Sequence, residues 1–292
     1  MAHPHNFFHV GQATVTKVED FLLDRFRPAQ IIPDWEASLR EHHHDGLSAG
    51  GEFLLLSVHT WVVREDDRIV LVDTGGGNGK SRPHAAYLDH LRTPYLARLK
   101  ASGVEPEAVD YVLLTHLHVD HVGWNTRVEQ GRWIPTFPNA RYIFSRDEHA
   151  YFHNPTNHSE RNRTSFKAQE DSVKPVVDAG LADMIAISGG EPIPGFIFHS
   201  TPGHSIDHAS IELRSGGKTA LFAGDVMHHP VQVLHPEWNS TFDAFPEVAV
   251  QSRRWTLDFA AQREATFFSS HFAGSSVGKV TRHGETYAWN FL

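Results

Sequence analysis

Leu113 to Gly123 reads Leu-Leu-Thr-His-Leu-His-Val-Asp-His-Val-Gly and constrains this chain more than any other stretch. The apolar run Tyr111-Val112-Leu113-Leu114 just before it has the character of a short buried strand. The run His116, His118, Asp120 and His121 then falls where a strand gives way to a loop. In an extended chain alternate residues share a side, so His116, His118 and Asp120 can converge while His121 points elsewhere. That divergence suits two neighbouring metal sites. Imidazole and carboxylate donors suit zinc and similar divalent ions.

The spacing is HxHxDH, and with it the chain resembles the metallo-β-lactamase superfamily of hydrolases. Further matches follow in that family's order: Asp73-Thr74-Gly75 upstream, then Thr201-Pro202-Gly203-His204, Gly224-Asp225 and Ser270-His271 downstream. The resemblance implies an α/β fold, an αββα sandwich of two mixed β-sheets flanked by helices. It also implies two divalent metal ions, zinc above all. His116, His118 and His204 would hold one ion, Asp120, His121 and His271 the other, and Asp225 both. Asp73 is expected behind the ligands, orienting a histidine. The implied chemistry is hydrolysis by a metal-bridging hydroxide, which needs no Ser or Cys nucleophile.

Composition narrows the branch. The chain has no cysteine, which removes thiolate metal ligands, disulfides and thiol nucleophiles together. It therefore departs from the β-lactamases that use a Cys ligand. With 35 acidic and 26 basic residues and a net charge of -9, it offers no basic face for nucleic acid. Neither a signal peptide nor a membrane-spanning segment is visible, so a cytoplasmic protein with no membrane partner is expected. The 292 residues, 40% of them hydrophobic, suffice for one large hydrolase domain over 1–292. The 23 histidines far exceed the five in the motifs, so most must be surface or hydrogen-bonded residues.

Two stretches resemble the lactonase and methyl parathion hydrolase-like branch: His121 to Asn125 followed by Phe137-Pro138-Asn139-Ala140, and Gly224-Asp225-Val226-Met227-His228-His229-Pro230-Val231-Gln232. The implied substrate is a small neutral lactone or related ester, with quorum quenching as the corresponding role. Acyl-homoserine lactonases carry a Tyr three residues after the bridging Asp, able to hydrogen-bond the carbonyl oxygen; here that residue is His228. Asp120 and His228 are the expected catalytic residues. Trp124, Tyr151, Phe152 and Phe166 either line an apolar substrate pocket or belong to the core. The alternatives are a phosphotriesterase or arylesterase of the methyl parathion hydrolase type, a glyoxalase II-like thioesterase, and a non-hydrolytic iron-dependent member. The thioesterases usually add a basic C-terminal region, whereas here only Lys279, Arg282 and His283 fall near the end.

Three segments carry their own expectations. Residues 21–51, with Pro28, Pro33 and His42-His43-His44-Asp45, lack a strand period and read as a lid or homodimerisation excursion. The triple histidine reads as a solvated helix end, with a metal site as the alternative. Thr74 to Ser81 nearly spells a phosphate-binding loop, but Thr74 stands where its first glycine belongs, so it reads as a glycine-extended turn. Helices are expected over Tyr95–Ala101, Arg146–Phe152, Phe166–Val173, ending before Pro175, and Val248–Gln262. Trp124–Phe137 reads as turn-rich.

Overall fold

The computed structural model describes residues 7–36 and 46–292. The His42-His43-His44-Asp45 run lies outside the described residues. The strands are β1 (Phe7–Val10), β2 (Ala13–Phe26), β3 (Leu54–Glu65), β4 (Arg68–Val72), β5 (Tyr111–Leu113), β6 (Thr126–Glu129), β7 (Arg132–Pro135), β8 (Arg141–Ser145), β9 (Ala182–Ile185), β10 (Phe196–Ser200), β11 (Ala209–Ser215), β12 (Lys218–Phe222), β13 (Thr266–Phe268), β14 (Val277–His283) and β15 (Thr286–Phe291). They form a seven-stranded sheet in the order β1-β2-β3-β4-β5-β8-β9, a six-stranded sheet in the order β10 to β15, and the β6-β7 ribbon. Both large sheets are mixed. β4, β5, β8 and β9 run parallel beside the antiparallel β3-β4 hairpin. In the second sheet β12 and β13 are parallel and the other neighbours antiparallel.

The chain divides into two compact units. One is built mainly from Ala13–Phe21 and Val58–Ala186, the other mainly from Leu22–Ser57 and Ile187–Leu292. In the first, β5 is central to its sheet, and Val112 and Leu114 join a core with Leu71, Tyr95, Leu99, Trp124 and Tyr142. Central parallel strands need apolar side chains on both faces, which is why Tyr111–Leu114 shows no polar alternation. In the second unit Leu221, Ala223, Leu257, Phe267 and Phe272 form the corresponding core.

The glycine-rich turn after β4 has a packing role. Gly123 N–H donates to Gly75 O at 2.7 Å, Trp124 N–H to Thr74 O at 2.8 Å, and Thr74 N–H to His121 O at 2.7 Å. A Cβ on Gly123 would sit 1.9 Å from the Gly76 carbonyl carbon. Two backbones therefore meet face to face, and only glycine permits it. Lys80, where a phosphate-binding lysine would stand, is fully buried and donates to Thr126 Oγ1 at 2.8 Å.

The helices are α1 (Pro28–Ile31), α2 (Tyr95–Ala101), α3 (Arg146–His153), α4 (Arg163–Ala168), α5 (Lys174–Asp178), α6 (Val231–Leu234) and α7 (Pro246–Gln262). Several differences from expectation have clear causes. β2 runs through Phe26, so the excursion assigned to 21–51 starts within a strand. Trp124–Phe137 contains the β6-β7 ribbon, turned by Gln130 and Gly131 at φ 50° and 77°. The helix at Phe166 continues past Pro175: a π-helical turn over Gln169–Val173 lets α5 begin afresh, placing Pro175 in its first turn, where no N–H is needed. No helix among the described residues is long and apolar enough to cross a membrane.

Candidate metal centre

In the first unit, the loop leaving β5 carries four potential ligands. His116 and His121 are buried, His118 and Asp120 partly exposed. The His116 ring lies 4.5 Å from that of His118 and 4.1 Å from that of His121, and His121 Nε2 is 3.8 Å from Asp120 Oδ1. The four side chains expected from HxHxDH are thus brought together.

Asp73 stands behind them, held at φ 56°, a left-handed backbone that Asp tolerates. Its Oδ1 accepts the Thr115 N–H at 2.9 Å, and its Oδ2 accepts the Thr115 hydroxyl at 2.9 Å. The same Oδ2 accepts His121 Nδ1–H at 2.9 Å. Because the Thr115 hydroxyl gives its proton to Asp73, it can only accept at 3.0 Å from His116 Nδ1–H. One carboxylate thereby fixes two imidazoles, one directly and one through a hydroxyl, leaving both Nε2 atoms as lone-pair donors.

In the second unit, His204, Asp225, His228 and His271 are all buried. Asp225 follows β12 and His271 follows β13, so adjacent parallel strands deliver both from the same end. Asp225 Oδ2 lies 2.9 Å from His271 Nε2, 3.3 Å from His204 Nε2 and 3.4 Å from His228 Nε2. His271 is oriented by the Ser57 carbonyl, which accepts its Nδ1–H at 2.9 Å. The His228 ring stacks on His271, with centroids 5.4 Å apart and planes 8° from parallel. Of these, His204 and His271 Nε2 with the Asp225 carboxylate are donor types that a divalent ion takes.

Two other histidines nearby hold backbone in place. His208 Nε2 accepts the Asp225 N–H at 2.9 Å, and its Nδ1–H faces Thr201 O at 3.1 Å. His229 Nδ1 accepts the Val231 N–H at 3.1 Å.

The aromatic candidates have different surroundings, all in the first unit. Trp124 is a core residue: it stacks on Tyr95 at 4.9 Å and its indole N–H donates to Asp20 Oδ2 at 3.0 Å. Phe152 packs edge-on against His118 at 6.0 Å, with Tyr151 and Phe166 against it at 5.5 and 5.1 Å. Phe166 also lines a cavity of about 260 Å³ with Arg82, His158 and Lys167.

Sequence reasoning misses Asp243 and Arg253. Asp243 is fully buried with Oδ1 3.4 Å from His204 Nδ1, and Arg253 Nη2 donates to its Oδ2 at 3.1 Å. The available signal was in α7, where Arg253 sits among Ala249, Thr256, Leu257 and Ala260 on the buried face. An arginine there requires a buried acceptor.

Residues 54–271 match the family model described as Metallo-beta-lactamase superfamily. The chain is 24% identical over 224 residues to probable metallo-hydrolase Rv2300c of Mycobacterium tuberculosis, covering 68% of this chain and 66% of that protein. It is 26% identical over 205 residues to an N-acyl homoserine lactonase of Bacillus thuringiensis, covering 65% of this chain and 72% of that one. Among solved structures, the hydrolase AbOPH of the beta lactamase superfamily aligns with TM-score 0.81 and 25% identity, covering 98% of this chain and 96% of its own. The dizinc quorum-quenching lactonase AidC shares the fold at TM-score 0.82 and 20% identity, with coverage of 98% and 96%. The matched span runs from the strand that supplies Ser57 to the last expected ligand, His271, and the chain belongs to the metallo-beta-lactamase superfamily, with its α/β fold of two mixed sheets.

Proposed function

We propose that the protein is a metal-dependent hydrolase that holds two divalent metal ions, zinc for preference, and opens a small lactone or cleaves a related ester. The ligands are His116, His118, Asp120, His121, His204, Asp225 and His271. The observation that carries this reading is the approach of His204 and His271 Nε2 to Asp225 Oδ2, at 3.3 and 2.9 Å. A carboxylate flanked by imidazole nitrogens is suited to bridging. Bound ions would supply Lewis acidity toward the carbonyl oxygen and a water whose pKa falls to about 7.

The chain's own groups do the rest. Asp73 and the Ser57 carbonyl hold the ligand rings with Nε2 presented. His228 is the donor to the oxygen on which negative charge develops, and Asp120, the more exposed of the two ligand carboxylates, takes the proton released by the attacking water and passes it to the leaving oxygen. Phe152, with Tyr151 and Phe166 behind it, forms the apolar wall beside His118. The similarity to N-acyl homoserine lactonases supports a lactone. The His at position 228, where those enzymes carry Tyr, argues against homoserine-lactone specificity in particular, and a phosphotriester or aryl ester is the second reading. The excursion after Phe26 is proposed as a lid or homodimer contact.

The test is elemental analysis of protein purified without chelator, followed by turnover on lactones, phosphotriesters, aryl esters and thioesters. Two equivalents of metal and highest turnover on a lactone are expected. One equivalent that metal addition does not raise would remove the dinuclear reading, and higher turnover on a phosphotriester would replace the substrate.

A further inference from the structure

We infer that Asp243, clamped by Arg253, is the positioning residue that orients ligand His204, and that one guanidinium thereby fixes both His204 and the backbone next to Asp225. This rests on the metal-centre reading above and adds to it a pair that no motif supplies.

The local chain path puts Asp243 in place. Ala244 N–H donates to His204 O at 3.1 Å and Phe245 N–H to Gly203 O at 2.8 Å, so the segment before α7 pairs with the His204 turn. Gly203 is required there: its φ is 132°, and a Cβ would lie 2.3 Å from Ala249 N. With this pairing, Asp243 Oδ1 faces His204 Nδ1 at 3.4 Å. Oδ2 accepts the Ser240 N–H at 2.9 Å and Arg253 Nη2 at 3.1 Å, so the carboxylate cannot turn. A carboxylate oxygen held facing Nδ1 favours the tautomer with Nδ1–H, the form in which Nε2 is free to ligate.

Arg253 reaches further than this carboxylate. Its Nε donates to Val226 O at 2.9 Å and its Nη1 to Pro236 O at 2.7 Å, with the side chain fully buried. Val226 follows Asp225 directly. A buried ion pair contributes little net stability compared with an apolar pair of similar size. Two buried charges are better explained by what they orient, because each of the Arg253 contacts ends on a segment carrying a ligand or its supporting carboxylate. The arrangement resembles the one in the first unit, where Asp73 holds His116 and His121, but it is built from a helix and a distant loop.

The test uses full-length protein loaded with Zn²⁺ or Co²⁺, with Asp243→Asn, Asp243→Ala, Asp243→Glu and Arg253→Lys. Metal affinity is read by chelator competition, ligand geometry by the visible absorption of the Co²⁺ form, and fold by the melting temperature of the metal-free protein. Asp243→Ala should weaken at least one metal equivalent by about 10–100-fold and alter the Co²⁺ spectrum, with Asp243→Asn intermediate and Asp243→Glu partly restored. Arg253→Lys, which keeps the charge but loses the fork, should shift affinity in the same direction. If the folded variants bind metal as the parent does, while only the metal-free melting temperature falls, the pair is structural and the inference is wrong. If Asp243→Ala does not fold, Asp243→Asn and Arg253→Lys decide by the same readouts. Failure of the parent chain to bind any divalent ion would overturn the metal-centre reading and this inference together.

Discussion

Asp73 and His121 are joined by a 2.9 Å hydrogen bond from the imidazole Nδ1–H to the carboxylate Oδ2, although 48 residues separate them in the chain. The same oxygen takes the Thr115 hydroxyl at 2.9 Å, so the orientation of His116 depends on it as well. Asp73→Asn keeps the size of the group and tolerates its left-handed backbone, but places an amide donor among groups that are themselves donors. Metal affinity should fall by about 10–100-fold in a chelator competition, with the metal-free melting temperature little changed. Parent-like affinity in this variant would leave Asp73 as a turn residue only.

Buried charge in the first unit gives a pH-dependent prediction. Lys80 Nζ lies 3.5 Å from Asp171 Oδ1 and 3.8 Å from the Trp133 ring centroid. Burial pulls its amine down to about 7, with Asp171 opposing that fall and Arg82 adding to it. Below about pH 7 both folded and unfolded chains hold this proton. Between there and the unfolded value of about 10.4, only the unfolded chain does. Stability contributed at this position therefore rises with pH across that window. Lys17, lowered to about 8 by burial, acts in the same direction in parent and variant alike. The urea midpoint of the parent should climb more steeply from pH 7 to 9 than that of Lys80→Met. Parallel profiles would mean that Lys80 stays protonated across this window, its ammonium held by the Asp171 carboxylate.

The candidate ligands and the strands that carry them were legible because they are local. HxHxDH, the Thr201-Pro202-Gly203-His204 turn and Gly224-Asp225 each sit within a few residues of an apolar strand, so period and spacing reveal them. The helix over Tyr95–Ala101 was readable for the same reason, closed by Gly103 at φ 81°. What stayed hidden depends on contacts distant in sequence. The Gly75-Gly76-Gly77 strip resembles a phosphate loop until Gly123 is seen pressed against it. Asp243 is an ordinary loop aspartate until its neighbours His204 and Arg253 are known. Pro175 marks a helix end by rule, and only the π-turn before it shows why the helix resumes. Trp124, an aromatic beside the metal motif, could be pocket or core, and its stacking on Tyr95 places it in the core.

The last prediction concerns His228. Its Nε2 lies 3.4 Å from Asp225 Oδ2, its ring stacks on His271, and its backbone N–H donates to Gln232 Oε1 at 2.7 Å. The backbone bond fixes the loop, and the stacking fixes the ring, so the imidazole is preorganised beside the proposed bridging carboxylate. A donor held in this way stabilises developing negative charge without having to reorganise during the reaction. His228→Ala should lower turnover on the best substrate by about 10²–10³ with metal content preserved, because the other ligands remain in place. His228→Gln, which keeps an N–H donor on a chain of similar reach, should recover part of the loss. A large fall in metal content instead would make His228 a metal ligand rather than a donor. Near-parent turnover in the Ala variant would leave it as a packing residue against His271. Turnover on acyl-homoserine lactones gained in His228→Tyr but absent in the parent would make this position the one that sets substrate class.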